Sequence, residues 1–464
     1  MAKETGQLWR QYIIAGIANI ATTSIGYGMG WTSPVSPKLA NITTTPLDHA
    51  ITSDEDAWIG SLLNIGAIFS PFLAGYAASH IGRKWSLWSV SIPMLIGWIL
   101  VAFASNVFMI YAARLFWGLG IGITFTVLPI YTTEIATDDR RGALGSMMVG
   151  FITIGFLMVY SIGPYVSYDV VAWVGTACSA VFAVLFFFMP ESPIYHLSKG
   201  NVEEAAKCLA IIRGMSRDGI QADIDRMAEE VRFSMAKKAK LSDVFRGGNL
   251  KAFYISCTLL FFQQFCGINA VLFNLGTIFN AAKASLDSSI SPIIIAALQL
   301  GAACFTPYLV ERAGRRLLLL ISTSGTALSL GFLGMYFILV ENKSPVVEIL
   351  GVLPILSLAV FIIAYSWGIG PLPVAIMAEL FPIEVKAVAA PIATAFCWTL
   401  SFLITRYFSV VSEMAGMGST FFMFGVFCVA AFFFTLFLVP ETKGKSFQDI
   451  QQMLAGKSTD SEKV

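Results

Sequence analysis

The chain has 464 residues, 56% of them hydrophobic and 13% charged, with 30 Lys and Arg against 29 Asp and Glu. Soluble domains carry roughly 25% charged residues, so this composition, with a mean hydropathy of +0.73, excludes a soluble protein with a large core. It describes an integral membrane protein, and a net charge of +1 gives no argument for a nucleic-acid partner.

A helix crosses a bilayer in about 20 residues. Apolar runs of this kind lie at 11–32, 57–78, 85–105, 108–133, 143–166, 170–189, 252–280, 290–310, 317–340, 350–379, 388–411 and 419–439. The expected fold class is therefore an all-α integral membrane protein, its transmembrane helices numbered here as spans 1 to 12. Gly163, Pro164 and Asp169 mark the turn between spans 5 and 6. The opening MAKETGQLWRQ lacks the basic-then-apolar layout and cleavage site of a signal peptide, so span 1 is expected to stay as a helix.

Basic residues set the orientation. Lys3 and Arg10, Arg83 and Lys84, Arg140 and Arg141, Arg312, Arg315 and Arg316, and Lys443 and Lys445 all fall on one side, with the hydrophilic stretch 190–251. That side is expected to be cytoplasmic and to hold both termini. The first loop on the other side, 33–56, is acidic at Asp48, Asp54, Glu55 and Asp56, and its Asn41-Ile42-Thr43 is a glycosylation sequon. Within 190–251, Asn201–Arg213 and Gln221–Lys238 read as amphipathic helices of mixed charge. The expected division is a first six-helix half at 1–189, a cytoplasmic helical linker at 190–251, a second half at 252–440 and a cytoplasmic tail at 441–464.

Phe261–Phe279 in span 7, FFQQFCGINAVLFNLGTIF, is apolar yet contains Gln263, Gln264, Asn269 and Asn274. Lipid cannot satisfy primary amides, so they must face protein or a wet cavity. On a continuous helix the first three do not share a narrow face; Gly267 lies between them and allows the helix to unwind. Converging amides suit a neutral ligand rich in hydroxyls, such as a sugar. The other reading is that they tie helices together. Six of the seven cysteines lie in apolar runs, Cys208 lies in the charged stretch, and no CxxC or Cys/His cluster occurs. Neither a disulfide framework nor a metal site is expected. No nucleophile–base pair or phosphate-cradling loop stands out, so neither an enzyme nor a cofactor is expected.

The two halves repeat their punctuation. Gly82-Arg83-Lys84 follows span 2 and Gly314-Arg315-Arg316 follows span 8; Glu134 ends span 4 and Glu379 ends span 10; Pro190-Glu191-Ser192 ends span 6 and Pro440-Glu441-Thr442 ends span 12. The steady offset of about 230–250 residues is that of two homologous halves.

These motifs, with Arg114-Leu-Phe-Trp-Gly118, Pro129-Ile-Tyr131-Thr-Thr-Glu134, Arg141-Gly142, Gln263-Gln264-Phe-Cys-Gly267-Ile-Asn269, Glu311-Arg-Ala-Gly-Arg-Arg316 and Gly370-Pro-Leu-Pro373, resemble the sugar porter family of the major facilitator superfamily across nearly the whole chain. The Gly30-Trp-Thr-Ser-Pro34 run and the short loops look most like insect facilitative trehalose and glucose transporters. The resemblance implies alternating access around a sugar site between the halves; twelve spans and a single outer sequon make the plasma membrane the expected site, and a monomer is the expected working unit. The resemblance implies sugar contacts from Gln263, Gln264, Asn269, Asn274, Gln299, Tyr365 and Trp398, with Tyr160 standing where a span 5 Gln is usual. It also implies a cytoplasmic latch built from Arg83, Arg114, Glu134, Arg141 and Glu191 of one half and Glu311, Arg315, Arg316, Glu379 and Glu441 of the other. The plainer reading is that the arginines only fix topology.

The chain departs from the family at several places. Ser366, Val374, Cys397 and Ser401 replace a Glu, a Trp and two Asn residues; Phe273-Asn274 replaces a Tyr pair; Ser79 replaces an acid or amide. Gly28 follows Gly26-Tyr27 where proton-coupled members carry Asp, and no Asp, Glu or His lies well inside spans 1, 4, 5, 7, 8 or 11. A proton symporter needs a titratable group in its cavity, so a passive uniporter is expected. A carrier of another polyol and a transporter-like sugar sensor are the alternative readings.

Overall fold

The computed structural model describes residues 7–137, 139–236, 240–282, 289–445 and 447–454, and among these every regular element is a helix. Eleven helices are long and apolar enough to cross a membrane. The remaining span, Leu8–Gly30, has 23 residues. It carries Gln11, Asn19, Thr22, Thr23 and Ser24, all buried inside the protein, so polar groups that lower its hydropathy never meet lipid.

In the first half span 1 is followed by Ser53–His80 (span 2), Arg83–Ala102 (span 3), Val107–Ile135 (span 4), Arg141–Ile162 (span 5) and Tyr168–Phe187 (span 6). The second half holds Gly247–Phe273 (span 7), Ser291–Ala313 (span 8), Arg315–Glu341 (span 9), Leu353–Leu380 (span 10), Ile383–Ala415 (span 11) and Met417–Leu438 (span 12). Packing repeats between the halves: span 1 lies on span 5, span 2 on span 4 and span 3 on span 6, just as 7 lies on 11, 8 on 10 and 9 on 12. The halves meet where span 2 packs on span 11 and span 5 on span 8.

Spans 7 and 10 are broken. Span 7 runs as Gly247–Phe265, Ile268–Phe273 and then Leu275–Ala282. Gly267 sits between the first two pieces at φ +82, where a Cβ would come within 2.5 Å of the Phe424 ring, so only glycine fits this turn. Span 10 stops at Trp367 and resumes at Leu372, after Gly370-Pro371.

The linker forms Pro193–Ser198, Val202–Arg213, Arg217–Ala236 and Leu241–Val244. Its second long helix starts four residues before the sequence-based estimate. Leu197, Leu209, Ile220, Ile224 and Met227 give the linker a core of its own. It is fastened to the first half: Gln7 donates its backbone N–H to Arg213 O at 2.7 Å. The helix Phe447–Leu454 packs on span 7 and on the second piece of span 10. The face that bears these segments is called the linker face below; the opposite one is the distal face.

Candidate functional site

The break at Gly267 turns the span 7 amides toward span 11. Gln263, Gln264 and Asn269 are each more than nine-tenths buried. Asn269 Nδ2 donates to Gln264 Oε1 and to Ser401 Oγ, both at 2.8 Å. Gln264 Nε2 donates to Cys397 Sγ at 3.1 Å, and Cys397 Sγ lies 3.7 Å from Gln263 Oε1. Gln263 Nε2 in turn donates to Gly370 O, in the break of span 10. Tyr365 meets this group through its backbone, its carbonyl oxygen accepting the Gly370 N–H at 2.9 Å. Three amides, a thiol and a hydroxyl thus converge where two helices lose their backbone ladders.

Gln299 of span 8 is buried, and its Oε1 has no hydrogen-bond partner among the described residues. Seven residues on, and therefore on the same helix face, Thr306 Oγ1 donates to Ser366 O of span 10 at 3.0 Å. Trp398 is buried with its ring edge-on to Phe125 of span 4, centroids 5.7 Å apart, so an aromatic pair crosses between the halves beside Cys397.

Two residues expected at the sugar are occupied elsewhere. Tyr160 donates its hydroxyl to Leu272 O at 2.7 Å, tying span 5 to span 7. Asn274 Nδ2 donates to Ala270 O at 2.9 Å, and its side chain lines a cavity of about 10 Å³ with Thr32, Ser36, Asp56, Ala57 and Thr405. Both belong to the distal closure, not to the amide cluster.

Arg114 is a correction. It was expected in the cytoplasmic network, but span 4 enters from the distal face at Val107, and Arg114 lies two turns inside it. The guanidinium is fully buried and donates to Ile59 O at 2.6 Å, Gly28 O at 2.8 Å and Gly60 O at 3.4 Å. Trp117 and Phe273 flank it, and the field of Asp56 acts on it. It is a distal cross-tie of spans 1, 2 and 4.

The other residues expected in the latch lie on the linker face, most of them in two matching arrays. Arg83 Nη2 pairs with Glu134 at 2.9 Å, while Glu191 accepts the backbone N–H groups of Arg83, Lys84 and Ser192 at 2.8–3.0 Å. Arg315 Nη2 pairs with Glu379 at 2.8 Å, while Glu441 accepts those of Arg315, Arg316 and Lys443 at 2.9–3.0 Å. Ser192 and Thr442 occupy equivalent places, donating to Glu134 and Glu379. The Arg83–Glu134 and Arg315–Glu379 pairs each lie within one half. Arg316 donates to Leu436 O, Arg141 opens span 5 at an exposed position, and Glu311 is exposed with no ion pair among the described residues. Asn41 is exposed, and its Oδ1 accepts from Thr43 N at 3.0 Å and Thr43 Oγ1 at 2.8 Å.

Sequence reasoning missed the partners across the halves. Asn64 of span 2 accepts from Ser401 Oγ at 2.9 Å and donates to Thr405 Oγ1 at 2.9 Å. Arg406 of span 11 pairs with Asp54 at the start of span 2 and lies 4.6 Å over the Trp58 ring. The signal was an amide and an arginine inside apolar runs.

The family model for "Sugar (and other) transporter" matches residues 14–454. The facilitated trehalose transporter Tret1 of Apis mellifera ligustica is 33% identical over 457 residues, 98% of this chain and 90% of the relative. The Bombyx mori protein of the same name is 32% identical over 456 residues, 97% and 88% of the two chains. Among solved structures, the fold is similar to a partially occluded inward open conformation of the xylose transporter XylE from E. coli. The TM-score is 0.78 at 23% identity, covering 94% of this chain and 100% of that one.

Proposed function

The chain belongs to the sugar transporter family, and from that premise we propose that it carries a sugar passively across the plasma membrane by alternating access. Trehalose and hexoses are the candidate substrates; relatives named as trehalose transporters match almost end to end. The observation that carries the reading is the convergence of Gln263, Gln264 and Asn269 at the Gly267 break. Gln299 of span 8 offers a buried carbonyl oxygen with no donor among the described residues. Sugar hydroxyls both donate and accept, so they can exchange with these contacts.

Linker face is read as cytoplasm, with both termini there, and Asn41 as an external glycosylation site. The monomer is the working unit, its two halves 1–189 and 252–440 rocking about the site. The two linker-face arrays serve as the latch: with Arg83 paired to Glu134 and Arg315 to Glu379 here, they exchange partners across the halves when the distal face opens. Ion pairs that form in one state and break in the other bias the equilibrium between states.

Counterflow of labelled trehalose and labelled glucose into liposomes holding the purified protein tests the reading. Uptake is expected to be indifferent to a pH gradient and to fall at least tenfold in Gln264→Ala. Uptake of neither sugar by folded protein, or uptake driven by the gradient, would overturn it.

A further inference from the structure

Span 2 sends a single amide across the interface between the halves, and it reaches the amide cluster through one serine. Every donor in the chain is identified. Asn269 Nδ2 has two hydrogens, one on Gln264 Oε1 and one on Ser401 Oγ, at 2.8 Å each. Ser401 Oγ accepts there because its own hydrogen is donated to Asn64 Oδ1 at 2.9 Å. Asn64 Nδ2 donates to Thr405 Oγ1 at 2.9 Å, and Thr405 Oγ1 donates to Ser401 O at 2.8 Å, which closes a ring. Asn64 and Ser401 are fully buried, Thr405 is 5% exposed and Asn269 8%, so no solvent replaces a lost partner.

We propose that Asn64 couples the sugar site to the distal gate, by holding Ser401 in the orientation that occupies one Asn269 hydrogen only while the halves are together. The proposal rests on Asn269 being a sugar contact, as read above. When span 2 leaves span 11, Asn64 leaves with it. A freed serine on a helix changes rotamer to donate to the carbonyl four residues earlier; that rotation carries Oγ away from Asn269 Nδ2, which regains a hydrogen for a sugar oxygen. The converse follows by linkage. A sugar oxygen that takes the Asn269 hydrogen leaves Ser401 Oγ without its donor, and this loosens the ring that joins the halves. Asn64 is thus a positioning residue, reaching substrate through Ser401 and Asn269.

The test reads the gate directly in full-length protein in liposomes. Ala57 is buried and lines the small distal cavity with Thr405, so Ala57→Cys reports opening through its reaction with a maleimide that does not cross membranes, counted above the native-cysteine background. With Asn64 present, saturating trehalose is expected to raise the labelling rate at least threefold. Asn64→Ala is expected to raise the basal rate at least threefold and shrink the sugar response below 1.5-fold. Thr405→Val breaks the same ring from the other side and should do the same, also deciding the matter if Asn64→Ala does not fold. Asn64→Gln keeps donor and acceptor and is expected to restore the response. A basal rate unmoved by Asn64→Ala and Thr405→Val would overturn the coupling, as would a raised rate with the sugar response intact. If the parent protein exchanges no sugar, the transport reading fails, and the basal rates alone still decide whether Asn64 holds the gate.

Discussion

A buried carbonyl oxygen without a donor costs about 1–3 kcal/mol, and Gln299 Oε1 is one. Such a group persists where a ligand supplies the missing bond. Replacing Gln299 with Leu removes the unsatisfied oxygen and keeps most of the volume, so melting temperature in detergent is expected to hold or rise. Sugar affinity is expected to fall about 2- to 12-fold, the worth of one net hydrogen bond of about 0.5–1.5 kcal/mol. A lower melting temperature with unchanged affinity would mean that Gln299 only packs helices. The same scale shows why sequence reading placed Arg114 wrongly. The resemblance placed it in the cytoplasmic latch beside its family counterpart, although it lies near the start of span 4. Its true contacts are three backbone carbonyls of spans 1 and 2, and nothing local in the sequence names a carbonyl acceptor.

The turn into span 3 and the turn into span 9 are one device used twice. Glycine opens each, at φ +101 for Gly82 and +82 for Gly314, and a carboxylate follows so closely that a Cβ would lie 2.2 Å from Glu191 Oε2 or 2.8 Å from Glu441 Oε2. The carboxylate satisfies the orphan amides of a helix start and lies at its positive end. Gly82→Ala and Gly314→Ala are each expected to cost about 1–3 kcal/mol of stability, read as a lower melting temperature, with Gly82→Ala the worse. Burial works to raise the Glu441 pKa, but hydrogen bonds from the backbones of Lys443, Arg315, Arg316 and Thr442 outweigh it and hold it below the ordinary value. A depressed folded-state pKa means that its contribution is full above the unfolded value of about 4.3 and is lost as pH falls through the lower one. Glu441→Gln is therefore expected to lower the melting temperature at pH 7 and to lose part of the wild-type decline below about pH 4. Equal sensitivity in mutant and parent would rule the carboxylate out. Elements were readable because bilayer length, glycine and charge repeat locally. The pairing was not: the sequence placed these acids and arginines on one face, and only packing shows Arg83 paired with Glu134 and Arg315 with Glu379.

At the scale of the whole molecule, the state captured is set by contacts between halves on the distal side. Thr32 Oγ1 donates to Phe273 O at 3.1 Å, Gly276 N donates to Ser33 Oγ at 3.1 Å and Tyr160 donates to Leu272 O. Arg406 pairs with Asp54 across spans 11 and 2. These partners are 112 to 352 residues apart, which is why no window of sequence displays them. Such bonds exist only with the distal face shut, so each lowers the free energy of that state alone. The ion pair is half-exposed and worth about 0.2–1 kcal/mol. The Arg406 guanidinium over Trp58 adds about 0.5–1 kcal/mol. Arg406→Ala removes both and is expected to shift the ratio of open to shut molecules about 3- to 30-fold, at 1.4 kcal/mol per tenfold. Spin labels at Ser53→Cys and Met414→Cys sit near the distal ends of spans 2 and 11, at exposed positions. Pulsed electron–electron distance measurements between them should show a longer population growing in Arg406→Ala, and Arg406→Lys should fall between. An unchanged distance distribution would leave the uncharged bonds to hold the gate, and the bias of the carrier toward this state would then rest on Tyr160, Thr32 and the Asn64 ring.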